Sequence, residues 1–205
     1  MLKIFIKFYK SLRQCTKGVI TIEMAIITPI IVMIILSSAD LIFYILAQQK
    51  ISRASYVISN LVTQMDEGVT ESQISDMMLS IGEVTKPFDF ITNGRATVTA
   101  VIGVGADGSA PDSYVVAWKR CYGDSASSGK KNYGHKGAVV SRDNIPENMI
   151  LSSSQILVVT DIVYDFTPVI GFLDLSKKIE YLSYFRPRLG SIEKITGNGG
   201  SQATC

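Results

Sequence analysis

Histidine, cysteine and N-terminal acid are scarce in this chain, and each scarcity removes a class of function. His135 is the only histidine, so no multi-histidine zinc site can be assembled, and its Gly/Lys-rich surroundings suggest no triad partner. It reads as a surface residue. Of three cysteines, Cys15 lies in a basic leader, which leaves Cys121 and Cys205 for the body of the chain, too few for a disulfide scaffold. Those two permit one intradomain bridge, with two free thiols as the other reading. The first 18 residues contain no acid but carry Lys3, Lys7, Lys10, Arg13 and Lys17, a local charge of +5. Against an overall charge of +2, residues 19–205 therefore carry −3. A mildly acidic body offers no basic face for nucleic acid, whose binding rests on neutralising phosphates. Nor does a phosphate-cradling loop survive inspection. Gly103–Gly108 spells G-x-G-x-x-G, but Pro111 and a second strand come next, where a dinucleotide fold needs a helix. A metal-dependent adhesion motif fails at Ala126, where a hydroxyl ligand is needed after Asp124. Asp161 and Asp165 lack the loop of oxygen ligands that calcium requires. No enzyme, cofactor or metal site is expected.

What the chain has in excess is apolar sequence near its N-terminus. The hydrophobic fraction is 47% and the mean hydropathy +0.26. Met24–Ala47 holds a single charge, Asp40, and as a helix at about 1.5 Å per residue it would measure about 36 Å, against a hydrocarbon core of about 30 Å. Basic residues flanking one end mark that end as cytoplasmic. Three readings compete. A secretory signal peptide would use Ser37-Ser38-Ala39 as its cleavage site, but the helical pattern continues well past the cut. A plain single-pass anchor explains the leader and the apolar run but not Glu23, since acids at membrane depth are costly, roughly 2.5–3.5 kcal/mol for Asp at mid-span. In the third reading the chain is cut after Gly18, so that Glu23 becomes the fifth residue of the mature protein. Pro29 removes one backbone donor inside the run and loosens the helix. Asp40 either faces a partner helix or marks the outer end of the span, and the second reading is preferred.

The third reading has a family behind it. Gly18, Glu23, Ala25 and Pro29, set in Gly-Val-Ile-Thr-Ile-Glu-Met-Ala-Ile-Ile-Thr-Pro after a basic leader, resemble a type IV prepilin signal. They resemble more closely the TadE-like minor pseudopilins of the tight-adherence (Flp) pilus. Where that family usually has an aromatic residue after the glutamate, this chain has Met24. Shorter pieces, Val163–Pro168 and Phe185–Arg188, look like segments near the end of TadE-like proteins. The resemblance implies a structural pilus subunit, cut between Gly18 and Val19 by a prepilin peptidase. Its partners would be other pilins or pseudopilins, the inner-membrane assembly platform with its motor ATPase acting indirectly, and membrane lipid. It would sit as a single-pass protein of the bacterial inner membrane, N-terminus cytoplasmic and C-terminal domain periplasmic, and could enter an extracellular fibre. The rival is an uncleaved single-pass protein whose periplasmic domain binds a ligand or partner.

Beyond the apolar run, Ala47, Ile51, Ala54, Ile58, Leu61 and Met65 recur at helical steps as one stripe, read as a core face. Gly68 marks a stop. Thr70–Gln73 opens a shorter helix to about Ile81. Alternation then predicts strands at Arg95–Val104 and Ser113–Cys121, joined as a hairpin, and at Gln155–Phe166 and Lys178–Arg186. Residues 122–137 read as an exposed loop. The expected architecture is α+β: a basic leader (1–18), a long helix (19–66) spanning a membrane at about 24–47, a periplasmic domain with an antiparallel sheet and a short helix (67–196), and a tail (197–205).

Overall fold

The computed structural model describes residues 17–65, 70–105, 111–124, 129, 131, 133–147, 149, 151–188 and 195. The leader, the expected helix stop at Gly68 and the tail lie outside the described residues. The fold is α+β: a long N-terminal helix, α1 (Lys17–Thr63), is followed by short helices and a five-stranded antiparallel sheet. The chain divides into two compact units, Met1–Phe43 with Pro168–Leu175, and Tyr44–Thr167 with Ser176–Cys205.

In the second unit, the C-terminal half of α1 buries Ala47, Ile51, Ala54 and Ile58, as their spacing predicts. The stripe then departs from expectation. Leu61 and Met65 are half-buried, while Val62, Ser55, Ser59 and Thr63 are buried. The buried face is rotated toward a row of hydroxyl residues because these satisfy themselves along the helix. Ser59 donates to the Ser55 carbonyl at 2.8 Å and Thr63 to the Ser59 carbonyl at 2.9 Å. Small side chains with internally bonded hydroxyls can enter a core that periodicity reserves for apolar residues.

α2 (Glu71–Val84) starts at Thr70 with a reciprocal capping box to Gln73 and buries Ile74, Met78 and Ile81. It runs three residues beyond the expected Ile81. A further short helix, α3 (Phe90–Asn93), was not expected from the sequence. It places Phe90 in parallel stacks with Tyr122 and Tyr164, at centroid distances of 6.5 and 6.3 Å. Gly94 comes next because a Cβ there would collide with the Phe90 ring.

The sheet comprises β1 (Gly94–Val104), β2 (Ser113–Tyr122), β3 (Val139–Val140), β4 (Ile156–Phe166) and β5 (Lys177–Phe185), in the order β3-β2-β1-β4-β5. β1 and β2 pair antiparallel from Ala96↔Tyr122 to Val104↔Ser113, with a register shift at Ala100/Val101. This is the expected hairpin, and it disposes of the dinucleotide reading of the glycines. One face carries Ala96, Val98 and Ala100 of β1, Trp118 and Arg120 of β2, Ile162 and Thr160 of β4 and Ser183 of β5. Ser183 lies 2.9 Å from Ser55 and 2.5 Å from Ser59, which fixes α1 on this face. Arg120 forms a two-pronged ion pair with Glu71, one prong at 3.0 Å, which ties α2 to β2. The opposite face buries Val101, Val116, Leu157 and Val159 against Tyr133, Val140, Ile145 and Leu151. The region read as an exposed loop thus contributes a core residue: Tyr133 is buried, its hydroxyl donating to the Asn144 carbonyl at 2.9 Å.

Candidate functional site

The N-terminal part of α1 is exposed around its whole circumference. Ile20, Ile22, Met24, Ile26, Ile30, Val32 and Ile34 each show 47–64% of their surface. Each such residue left in water forgoes about 1.5–3 kcal/mol of burial, so this rod needs an apolar surround. Its polar groups are arranged for one. Thr28 donates to the Met24 carbonyl at 2.6 Å, Ser37 to Met33 at 2.7 Å and Ser38 to Ile35 at 2.8 Å. Hydroxyls closed onto their own helix carry no unmet donor into lipid. Among the described residues this is one helix long and apolar enough to cross a membrane.

Gly18 and Val19 lie in the first turn of α1, and Glu23 stands at a rise of about 7.5 Å from Gly18. Glu23 is exposed, and no ion pair among the described residues engages it. Pro29 stands inside the helix and leaves the Ala25 carbonyl without its usual donor.

Residues 18–58 match the family model of TadE-like proteins. The match covers about a fifth of the chain and contains Gly18, Glu23 and Pro29 together with most of the buried stripe on α1. The matched segment is the membrane-length part of α1 with the start of its buried stripe, which suggests involvement in tight-adherence pilus assembly. No curated protein and no solved structure matches the chain.

Asp40 does not face a partner helix; its carboxylate is turned onto a segment of its own chain, which the sequence did not suggest. It is wholly buried within the first unit, where its carboxylate accepts three backbone N–H groups. Ile170 N–H reaches Oδ1 at 3.0 Å, and Phe172 and Leu173 N–H reach Oδ2 at 2.9 and 3.2 Å. Gly171, at φ 72°, turns the backbone so that successive donors converge on one anion, a conformation that other residues adopt at a cost. The available signals were an acid in an apolar helix, which demands donors, and the Pro168…Gly171 turn. Nothing local to either one links them.

Among the described residues of the second unit, the titratable groups do not assemble into a metal or catalytic cluster. No group of three or more metal-ligating side chains occurs among the described residues, and His135 is exposed. Asp161 and Asp165 share one side of β4 but lie about 13 Å apart along it, too far to bind one calcium ion. Burial raises the Asp161 carboxyl to about 6, helped by the nearby Glu180 carboxylate and opposed by the Lys131 N–H and by Lys119 and Lys178. Asp161 Oδ1 has no hydrogen-bond partner among the described residues. Burial likewise lowers Lys119 and raises Tyr133. These groups accompany a packed core. A groove of about 610 Å³ has an apolar floor that includes Leu79, Pro87 and Phe88, with Asp76, Glu83, Lys86 and Asp89 also lining it. Cys121, in β2, is disulfide-bonded, and the Thr97 hydroxyl lies 3.3 Å from its Sγ. Its partner cysteine is not among the described residues, and neither is Cys205.

Proposed function

We propose that this protein is a minor pseudopilin of a tight-adherence pilus. It is held in the bacterial inner membrane by α1 until a prepilin peptidase cuts between Gly18 and Val19 on the cytoplasmic side. Cleavage frees an α-amine at Val19, cationic at neutral pH with a reference pKa near 8. The observation that carries this reading is the TadE-like match over residues 18–58, on a helix that exposes Glu23 among Ile20, Ile22, Met24 and Ile26. A lone carboxylate at an apolar boundary is disfavoured, and the Val19 ammonium of a neighbouring subunit supplies its counter-charge. Such a pair adds little net stability, yet a shifted register would strand both charges, so Glu23 selects one axial arrangement. Pro29 leaves α1 loose enough to settle among neighbouring helices.

The domain organisation accords with the same reading: a leader at 1–18, a helix over 19–66, a periplasmic domain at 67–196 and a tail at 197–205. Cys121 pairs with Cys205 in the periplasm, because Cys15 belongs to the leader on the other side of the membrane. Partner pilins contact α1, and the assembly platform with its motor ATPase supplies the work.

Intact mass and N-terminal sequencing of the native protein test the cleavage. A mature chain beginning at Val19 supports it, and a chain beginning at Met1 refutes it. Glu23→Gln tests the pairing: membrane insertion is expected to persist while co-assembly with other pilins is lost, and normal assembly would count against the charge pair.

A further inference from the structure

The Asp40 clasp sits beside three exposed apolar side chains. Val169, Ile170 and Phe172 show 63%, 45% and 44% of their surface, on the eight-residue turn Pro168–Leu175 that packs with the first part of α1. In a soluble loop this arrangement is the wrong way round. Loops usually present backbone polar groups and polar side chains to water. Here Pro168 has no N–H, Ile170, Phe172 and Leu173 give theirs to Asp40, and Leu175 gives its own to the Leu173 carbonyl at 2.9 Å. The N–H groups of Ile170, Phe172 and Leu173 point inward, and the side chains of Val169, Ile170 and Phe172 are exposed. Backbone outside a helix or closed barrel is tolerated at membrane depth only where protein satisfies its polar groups.

Resting on the membrane-spanning reading of α1, we infer that Pro168–Leu175 is a second lipid-contacting element, its Val169, Ile170 and Phe172 side chains entering the interfacial layer of the bilayer that α1 crosses. Asp40 is the residue that makes this possible, because its carboxylate removes the backbone donors that would otherwise hold the turn in water. Continuity selects lipid over a protein partner. The turn is hydrogen-bonded to a helix that, Thr28 apart, exposes only apolar side chains from Met24 to Ile35, and Leu41 and Ile42, next to Asp40, are also exposed. A surround that solvates those residues also reaches the turn. Asp174, exposed in the same turn, stays at headgroup level and keeps the insertion shallow, within the roughly 5–10 Å typical of interfacial segments.

Tryptophan quenching in the full chain, reconstituted into phosphatidylcholine vesicles with brominated acyl chains, tests this. Trp118 is almost fully buried and supplies a constant background. The added fluorescence of Phe172→Trp is expected to lose most of its intensity in brominated vesicles, that of Ile31→Trp to be lost as well, and that of Val139→Trp, at an exposed site in β3, to be retained. If Ile31→Trp is quenched while Phe172→Trp behaves like Val139→Trp, the turn does not meet lipid and the inference is overturned. It is overturned equally if Phe172→Trp is shielded from bromine and cross-links to a second copy. If Ile31→Trp itself escapes quenching, the membrane reading of α1 fails and takes the inference with it. Val169→Trp, on the same turn, repeats the test should Phe172→Trp not fold.

Discussion

Replacing Asp40 tests how the clasp holds the turn. The carboxylate accepts three backbone N–H groups at 2.9–3.2 Å from a site with no solvent exposure. Hydrogen bonds to a charged acceptor contribute about 1.5–3 kcal/mol each. Three of them give a gross contribution of about 4.5–9 kcal/mol, from which the cost of burying the carboxylate must be subtracted. A net loss of about 4 kcal/mol for Asp40→Leu is a fair expectation, a factor of about a thousand in the local opening equilibrium. Asp40→Asn keeps one oxygen acceptor and should fall between the two. The turn is short and sits at the boundary of a small unit, so it should open locally and leave the sheet folded. Hydrogen exchange of the protein in lipid nanodiscs, read at the amides of residues 170, 172 and 173, gives the answer directly. The expected order of protection is Asp40, then Asn, then Leu, with amides in β1 and β4 unchanged. Equal protection at these amides in all three proteins would show that the turn is held by something other than the carboxylate.

Four further outcomes are expected. Thr160 is buried at the centre of β4, and its hydroxyl has no partner, so Thr160→Val should leave stability unchanged or raise it by about 1 kcal/mol in chemical denaturation; a clear loss would mean the hydroxyl is bonded. Glu71→Gln breaks the two-pronged pair with Arg120, whose side chains are only 14–15% exposed, and should cost about 3 kcal/mol, against almost nothing for Glu83→Gln at the exposed pair with Lys86. Ile51→Ala should lower stability by about 3 kcal/mol without altering membrane insertion, because Ile51 is buried in the second unit; impaired insertion would argue against separate roles for the two parts of α1. Asp161 gives a pH dependence. Its carboxyl is raised to about 6 from an ordinary value near 3.8, so the folded state binds the extra proton between those values. Stability from this group is present below about pH 4 and lost as the pH rises through 6, and in Asp161→Asn that component of the pH profile should disappear.

Long-period features were legible in the sequence, and features made by distant chain segments were not. Alternation in Ala96, Val98 and Ala100 marked β1 to within a residue, and Thr70 with Gln73 announced α2 through a capping pair that is wholly local. The G-x-G-x-x-G string was correctly rejected because the residues after it, Pro111 and then a strand, are also local. In contrast, β3 is two residues long and exists only because β2 lies beside it. Tyr133 looked exposed in a Gly/Ser/Lys-rich stretch, since composition cannot show that Asn144 and the lower face of the sheet await it. The rotation of the α1 core face toward Ser55, Ser59 and Thr63 escaped periodicity because a buried hydroxyl is indistinguishable from an exposed one until its i−4 carbonyl bond is seen. Asp40 is the sharpest case. Its charge was noticed and its donors, 130 or more residues away in the chain, were not.

The two acids of the apolar part of α1 stand for opposite solutions to one problem. Asp40 is satisfied within the chain, by N–H groups that a left-handed glycine brings together. Glu23 has nothing comparable: the residues around it on α1 are exposed and apolar, and no basic side chain among the described residues pairs with it. On the proposed function, it is this second anion whose counter-charge a neighbouring subunit supplies. Glu23→Gln should therefore alter assembly and spare the fold, whereas Asp40→Leu should alter the turn at Pro168–Leu175 and leave the Glu23 register untouched. If the two substitutions gave the same phenotype, in assembly and in amide protection alike, that division between an internal and an external counter-charge would be wrong.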